Sequence, residues 1–362
     1  MFYQAESELG LNFLKTLPAH NESLVFSPIS IALVLSLVHA GARGNSKKQI
    51  EDTLLNKAVC NNCQFINHFS GIAKNLKKGI NGVEVNMANR LYLRQGSTAK
   101  RQFLASIIQN YGAEARALDF RTFDAVQKIN GYVKTATKGK VDRIINNQDS
   151  IKNSKGLLIN ALSFKASWEE GFPISSAFLP FELNSFQSKA MDSIKDFTVR
   201  GYSTDEYFRV LTLKFKDPRY QFSIFLPKQK HGLNEALKKL DNRRFENLLN
   251  TVKSTHLLVE IPKFNIDRRL SLKNSLKAIG ITEMFSDFAD LSGITDDAKI
   301  SEGIHKSTFQ INEAGTSSGF AKPAEYNTVR TSGQPIEFKA NHPFLFTVTY
   351  MNQSIFMGVF RG

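Results

Sequence analysis

The residues most suggestive of chemistry are positions 315–319 (GTSSG), which spell the pattern G-x-S-x-G. In hydrolases this pattern places a nucleophilic serine on a sharp turn between a buried strand and a helix. The preceding TFQIN can form the strand, but the following segment is polar and contains Pro323, so it does not predict the helix. His342 is the only histidine after the serine, and a proline follows it directly. We predict that the pattern is accidental and that the chain is not an enzyme.

Metal and cofactor chemistry is not indicated either. The sequence has no phosphate-binding G-x-x-x-x-G-K-[ST] loop and no H-E-x-x-H pair. Its two cysteines, Cys60 and Cys63, form a single C-x-x-C, which supplies half the ligands of a structural zinc site. We interpret them as ordinary thiols and predict no metal and no cofactor.

Composition and charge favour a folded protein with acidic partners. Of 362 residues, 42% are apolar and 22% charged, which is typical of a packed globular chain. The formal net charge of +14 indicates affinity for polyanions or acidic proteins. The amino-terminal residues lack the pattern of a secretory signal, and no apolar run is long enough to span a membrane. We therefore expect a cytoplasmic location without membrane association, and export without a classical signal stays open.

The elements that must position these residues divide into helices and strands. Ser27-Pro28 predicts the start of an apolar, buried helix, and the capping box at positions 46–49 (SKKQ) predicts the start of another. In the second half, FRVLTLKF and YQFSIFLP predict a hairpin, and GLLINALSFKASW predicts a buried strand. Helices and strands without regular alternation predict one α+β domain over residues 1–362. A long irregular loop, about 313–335, interrupts it, and such loops are usually functional.

Nine segments spread over nearly the whole chain carry a resemblance to a known family. In chain order they are FSPISIALVLSLVHAGARGNSKKQI, VNMANRLYL, INGYVKTATKGKV, LLINALSFKASWEEGF, IPKFNI, ITEMFSDFADLSGIT, GIHKSTFQINEAGT, NHPFLFTV and FMGVF. Together they resemble the serpin family. The resemblance implies three β-sheets, about nine helices and an exposed reactive-centre loop. It also implies that a target endopeptidase cleaves that loop and becomes acylated, and that the loop then inserts as a new strand into the largest sheet and traps the enzyme.

The resemblance also assigns roles to individual residues. The family hinge, where insertion begins, corresponds to Glu313, Gly315, Thr316, Ser317 and Ser318. The polar cluster beneath the sheet and the tryptophan above it are expected to control its opening. They correspond to Ser27, Ser30, Asn160, His305 and Trp168.

Three residues of the loop depart from the pattern of inhibitory family members. In an inserted strand, alternate side chains from Thr316 onward face the buried side, which includes Phe320 and Lys322. Pro323 lacks the N–H that a central strand needs. Each departure costs about 1–3 kcal/mol, judged from unsatisfied polar groups and interior prolines. Two functions therefore stay open: an inhibitor, or a non-inhibitory serpin that acts as a binding module or a protease substrate.

The scissile bond has three candidate positions. Family spacing from Glu313 places Val329 before the bond, whereas chemistry favours Arg330-Thr331, because arginine suits trypsin-like pockets. Tyr326 is a third candidate, for chymotrypsin-like or cysteine proteases. We therefore predict a trypsin-like target first and an elastase-like target second.

A polyanion site is the remaining binding hypothesis. The segment IAKNLKKG carries Lys74, Lys77 and Lys78, and the first and last of these are four residues apart on one helix face. Several serpins bind heparin through a basic helix, so we consider a heparin-like ligand here, with a solvated helix face as the alternative. We expect a monomer.

Overall fold

The computed structural model describes residues 2–17, 22–55, 62–78, 82–173, 177–296, 299–316 and 335–362. Nine α-helices lie within these ranges, as the family resemblance implied. Their bounds are Phe2–Thr16 (α1), Pro28–Gly41 (α2), Gly44–Leu54 (α3), Asn62–Lys77 (α4), Arg101–Tyr111 (α5), Phe123–Ala136 (α6), Leu233–Lys239 (α7), Asn242–Asn250 (α8) and Leu272–Ala278 (α9). Within the described ranges, no helix combines the length and apolar composition needed to cross a membrane.

The predicted buried helix is α2. Pro28 occupies its first turn, and the side chain of Ser27 accepts a hydrogen bond from the backbone N–H of Ser30 (3.1 Å). Every residue of α2 except Ala40 is buried, which explains why the helix is apolar on all sides.

The predicted start of α3 is wrong. The helix begins at Gly44 instead of after a capping serine at Ser46. The Ser46 hydroxyl donates to a Glu283 carboxylate oxygen (3.0 Å) and accepts from the backbone N–H of Asp290 (3.0 Å). The side chain thus holds a distant segment of the chain and does not cap its own helix.

Fourteen strands form the rest of the described fold. Their bounds are Leu24–Phe26 (β1), Glu84–Arg94 (β2), Glu114–Leu118 (β3), Gly156–Lys165 (β4), Ala177–Asn184 (β5), Gln187–Thr204 (β6), Phe208–Lys214 (β7), Tyr220–Pro227 (β8), Lys253–Pro262 (β9), Phe264–Ser271 (β10), Glu302–Ile311 (β11), Ile336–Lys339 (β12), Phe344–Tyr350 (β13) and Gln353–Phe360 (β14). The predicted hairpin is confirmed, because β7 and β8 pair antiparallel.

A five-stranded sheet has the order β10-β11-β4-β2-β3. At its centre β4 and β11 are parallel and directly hydrogen-bonded, from Leu157 with Glu302 to Ser163 with Thr308. Every residue of β4 is buried except the last, Lys165, which confirms the predicted buried strand. The end of this sheet where β4 and β11 finish is called its upper end below.

A nine-stranded sheet contains the remaining strands, so the described residues form two sheets where the resemblance implied three. The reason is the length of β6, which runs unbroken for 18 residues. Its residues 193–202 pair with β9, and its residues 201–204 pair with β7. One continuous strand therefore joins two sets of strands that the resemblance treats as separate sheets. The predicted α+β class is confirmed.

Aromatic side chains lock the two sheets together. Phe309 of β11 stacks on Phe346 of β13, with ring centroids 5.1 Å apart, and on Phe222 of β8 at 5.9 Å. All three rings are buried. Because Phe309 lies two residues before the end of β11, this packing fixes the point at which the chain leaves the five-stranded sheet.

Candidate functional site

A tight turn follows β11 at the upper end of the sheet. The backbone N–H of Asn312 donates to the carbonyl of Gly315 (2.9 Å), and the N–H of Gly315 donates back (3.2 Å). The side-chain oxygen of Asn312 also accepts from the N–H of Ala314 (2.9 Å). These bonds reverse the chain, so that Thr316 returns towards the neighbouring strand β4.

Gly315 is required by the geometry of this turn. Its φ is +135°, a conformation that side-chain-bearing residues rarely adopt. A Cβ atom at this position would lie 2.1 Å from the carbonyl oxygen of Ala166. The first glycine of the G-x-S-x-G pattern therefore serves a close backbone approach.

Thr316 docks against the end of β4. Its backbone N–H donates to the carbonyl of Ala166 (2.8 Å), and its hydroxyl accepts from the N–H of Ala166 (2.7 Å). The preceding residue, Gly315, makes an antiparallel bridge with Ser167. Thr316 is only 5% exposed. The last described residues before the loop thus run antiparallel to β4, beside the upper end of the β4–β11 pair.

Trp168 covers this turn. Its indole N–H donates to the carbonyl of Asn312 (3.0 Å), and its backbone N–H donates to that of Ala314 (3.2 Å). The ring is buried and stacks almost parallel on Phe215, with centroids 4.7 Å apart. The tryptophan that the resemblance placed at the top of the sheet is therefore bonded to the chain that leads into the loop.

Glu313 is held at the same turn by two contacts. Its carboxylate forms an ion pair with Lys263, which lies between β9 and β10. Its carbonyl accepts from the backbone N–H of Phe172 (3.2 Å). Both charged side chains are partly exposed, so the pair contributes modestly to stability.

A buried polar cluster joins β4 to β11 lower in the sheet. It consists of Ser27, Ser30, Asn160 and His305, each fully buried. Asn160 and His305 are register partners on the two parallel strands. Asn160 donates from its side-chain amide to the Ser30 hydroxyl (2.6 Å) and to the Ser30 carbonyl (3.0 Å). The cluster therefore ties α2 to both β4 and β11.

His305 is neutral in this cluster. Its Nε2 accepts from the backbone N–H of Ser27 (3.1 Å), so the ring proton resides on Nδ1 and is donated to the side-chain oxygen of Asn160. Burial lowers the pKa of His305 to about 3. A protonated ring would turn a second N–H towards the N–H of Ser27, and this contact would be repulsive.

Sequence reasoning missed four participants in these contacts. They are Asn89, whose side chain accepts from Asn160, together with Ala166, Lys263 and Asn312. Asn312 offered a signal, because asparagine before a small-residue segment is typical of a turn. Ala166 acts through its backbone, and Lys263 is a single lysine far away in sequence, so neither had a signature.

The other predicted site residues are only partly described. Ser317, Ser318 and the proposed bond at Val329, Arg330 and Thr331 lie outside the described residues. Lys74 and Lys78 are exposed, on and just after the last turns of α4. Lys77 ends that helix, and its side chain is outside the description. The described residues hold no group of ligating side chains suited to a metal ion.

The remaining histidine of the hydrolase hypothesis has a structural role. His342 is buried, and its Nε2 donates to the carbonyl of Pro227 (3.0 Å). Its Nδ1 lies 3.0 Å from the side-chain oxygen of its neighbour Asn341. The bond from Nε2 therefore anchors the ring within the fold.

Nine helices in the described ranges and a sheet with the parallel pair β4 and β11 at its centre agree with a serpin fold. The family model described as "Serpin (serine protease inhibitor)" matches residues 4–361. The chain belongs to the serpin family, a family of protease inhibitors and not of hydrolases.

Particular relatives agree over most of their lengths. The chain is 30% identical to a leukocyte elastase inhibitor of Xenopus laevis over 91% of this chain and 89% of the relative. It is 27% identical to human serpin I2 over 94% of this chain and 86% of the relative. The crystal structure of uncleaved ovalbumin superposes with a TM-score of 0.88 at 23% identity, covering both chains fully, and it supports the fold alone.

Proposed function

We propose that this serpin is a suicide-substrate inhibitor of serine endopeptidases. Cleavage of the loop between residues 313 and 335 acylates the protease. The segment beginning at Thr316 then enters the five-stranded sheet between β4 and β11 and carries the bound enzyme with it. Cysteine endopeptidases of similar specificity are a secondary target class.

The docking of Thr316 on Ala166 is the observation that carries this proposal. A strand inserted between two parallel strands in this sheet must run antiparallel to both, since it returns along the chain from the end of β11. The chain already runs antiparallel to β4 at Gly315 and Thr316. The first pairing of the new strand therefore exists before cleavage, and insertion extends it.

The buried polar cluster supplies the barrier to premature insertion. β4 and β11 pair directly, and Asn160 bonds to His305 and to α2 across the pair. An entering strand breaks these bonds, and its backbone then hydrogen-bonds to β4 on one side and to β11 on the other. The closed sheet persists because a barrier opposes its opening, and cleavage frees the loop segment to insert.

The buried position of Thr316 also supports the second candidate function. If the strand continues with alternation from this residue, Phe320 and Lys322 face inward, and Pro323 interrupts the ladder. Slow insertion allows water to hydrolyse the acyl-enzyme. The chain would then act as a substrate or binding module with a serpin fold.

Incubation with trypsin and with pancreatic elastase tests the proposal. We expect a covalent complex stable in sodium dodecyl sulfate, with the mass of both partners less that of the released carboxy-terminal peptide. N-terminal sequencing of the released carboxy-terminal peptide identifies the bond, and we expect Thr331 as its first residue. Arg330→Ala is expected to abolish complexes with trypsin, and Val329→Ala is the matched control. Complete loop cleavage without any complex would contradict inhibition and establish the substrate function.

A polyanion is a further proposed partner of the same protein. The support is the exposure of Lys74 and Lys78 near the end of α4, together with the net charge of +14. A heparin affinity column tests it, because counterion release makes such binding fall steeply with salt. Elution of Lys74→Ala/Lys78→Ala at the same salt as wild type would contradict this site.

The single domain over residues 1–362, the monomeric state and the cytoplasmic location stay predictions. Limited proteolysis, light scattering and fractionation of expressing cells test them in turn.

A further inference from the structure

A cavity of about 350 Å³ lies between α1, α7 and the end of β14. It is separate from the hinge, since it contains no residue of β4, β11 or the turn after β11. Six aliphatic side chains form most of its wall. They are Leu11, Leu14, Leu17, Leu24, Leu237 and Val359.

The polar lining of this cavity has one sign of charge. Three cationic residues line the cavity: Lys15, Lys238 and Arg361. Asn234 is the fourth polar residue of the lining, and no described acidic residue lines the cavity. Lys238 forms an exposed ion pair with Glu235 (2.7 Å), which compensates part of its charge. The cavity is therefore apolar with a cationic rim.

The positive charge of Arg361 has no acidic partner among the described residues. One terminal nitrogen donates to the side-chain oxygen of Asn234 (2.7 Å). Its Nε is buried and has no hydrogen-bond partner in the described part of the chain. No acidic residue of that part pairs with it, and burial lowers the pKa of its guanidinium. A guanidinium without a counter-ion beside an apolar cavity is unfavourable, so an anion placed against it would be stabilised.

The two properties together restrict the chemistry of a ligand. A purely apolar molecule would fill the aliphatic wall but leave the Arg361 guanidinium without a counter-ion. A small hydrophilic anion would compensate that charge but leave the leucines facing water. Only a molecule with an anionic head and an apolar body matches both parts of the cavity.

We propose that this cavity binds a small amphipathic carboxylate, such as a medium-chain fatty acid. The carboxylate accepts from Arg361, and the hydrocarbon chain lies against Leu14, Leu237 and Val359. This site does not depend on whether the loop inhibits a protease, because no residue of the loop or hinge takes part.

Isothermal titration calorimetry of the full chain with decanoate tests the site. 1-Decanol, which has the same tail without the charge, is the ligand control. We expect decanoate to bind one molecule per chain, and decanol to bind at least about tenfold more weakly, as loss of a charge-assisted hydrogen bond predicts. Decanoate binding is also expected to raise the thermal midpoint of the protein.

Two variants and one control localise the binding. Arg361→Met should weaken decanoate by about tenfold or more and leave decanol unchanged. Leu237→Trp should fill the cavity and abolish both. Lys239→Met, an exposed lysine on the same helix that does not line the cavity, should change neither. Circular dichroism melts show whether each variant is folded.

Several results would overturn the proposal. Absence of binding heat with decanoate would exclude the ligand class, and equal affinity for decanol would exclude the role of Arg361. Unchanged decanoate affinity in folded Leu237→Trp would place any binding elsewhere on the surface.

Discussion

Thr316 and Ala166 exchange two hydrogen bonds at the upper end of the five-stranded sheet. The N–H of Thr316 donates to the Ala166 carbonyl at 2.8 Å, and the N–H of Ala166 donates to the Thr316 hydroxyl at 2.7 Å. Because Thr316 is buried, its side chain must be small and polar. A small hydroxyl residue at this position allows the chain to dock on Ala166. The docked chain runs antiparallel to β4, which is the direction that an inserted strand would take.

Under the proposed inhibitory function, replacing Thr316 with arginine should shift the outcome of cleavage from complex formation to substrate turnover. A charged side chain cannot occupy this buried position without an unfavourable loss of hydration. We expect the ratio of cleaved to complexed serpin to rise at least about tenfold, since an insertion barrier higher by about 1.4 kcal/mol slows the trapping step tenfold. The measurement is titration of protease activity, with Thr316→Ser as the control that retains the hydroxyl. Unchanged stoichiometry in Thr316→Arg would show that this residue does not enter the sheet.

Gly315→Ala should destabilise the uncleaved protein. The added Cβ meets the Ala166 carbonyl at 2.1 Å, and the φ of +135° is strained for alanine. We expect a loss of about 1–3 kcal/mol in the free energy of unfolding, measured by urea titration.

Gly131→Ala is its matched control. Gly131 lies within α6, and an added Cβ would contact nothing within 4 Å. Alanine there should stabilise the protein by up to about 1 kcal/mol. Equal effects of the two substitutions would show that the hinge is not tightly docked.

The neutral state of His305 predicts a dependence of stability on pH. Its folded pKa of about 3 lies below the ordinary value of 6.5, so the unfolded chain binds the proton more readily. Its contribution to stability is complete above pH 6.5 and is lost as the pH falls from 6.5 towards 3. Each pKa unit of difference corresponds to about 1.4 kcal/mol.

His305→Gln isolates this contribution from that of the acidic residues. Urea titrations between pH 4 and 7.5 should show a shallower pH dependence for the variant than for wild type. Parallel curves for the two proteins would mean that His305 does not titrate in the cluster. Asn160→Ala is not a substitute, because it removes bonds to both His305 and Ser30.

Charge reversal tests the ion pair between Glu313 and Lys263. Glu313→Lys places two cations together at the turn and should lower the free energy of unfolding by about 1 kcal/mol. Lys263→Glu should act similarly. The double reversal should recover part of the loss, and this coupling is the measured quantity. Additive losses in the double variant would show that the two side chains do not interact.

Much of the fold follows from local sequence patterns. Ser27-Pro28 before an apolar run predicted α2, and two alternating segments around Asp217-Pro218 predicted the β7–β8 hairpin. These signals work because capping, burial and turn chemistry are decided within a few residues. The capping box at Ser46 failed because Glu283 and Asp290, more than 200 residues away, took over the serine hydroxyl.

The candidate site was predictable in part, for a similar reason. Gly315 and Thr316 were predicted from the resemblance to the serpin hinge, whereas their partner Ala166 contributes only backbone atoms. Asn89 lies on β2 and is the register partner of Asn160 on the adjacent strand β4. Its role therefore depends on how the strands pair and not on the residues next to it in sequence. The joining of two predicted sheets through β6 likewise depends on long-range pairing.

The crystal structure of the loop-cleaved protein tests the central claim most directly. Ile159 and Ile304 are register partners on adjacent strands, and neighbouring strands lie about 4.8 Å apart. Insertion predicts a new strand from Thr316 between them, with this separation doubled to about 9.6 Å. A cleaved structure in which β4 and β11 still pair directly would contradict the inhibitor mechanism.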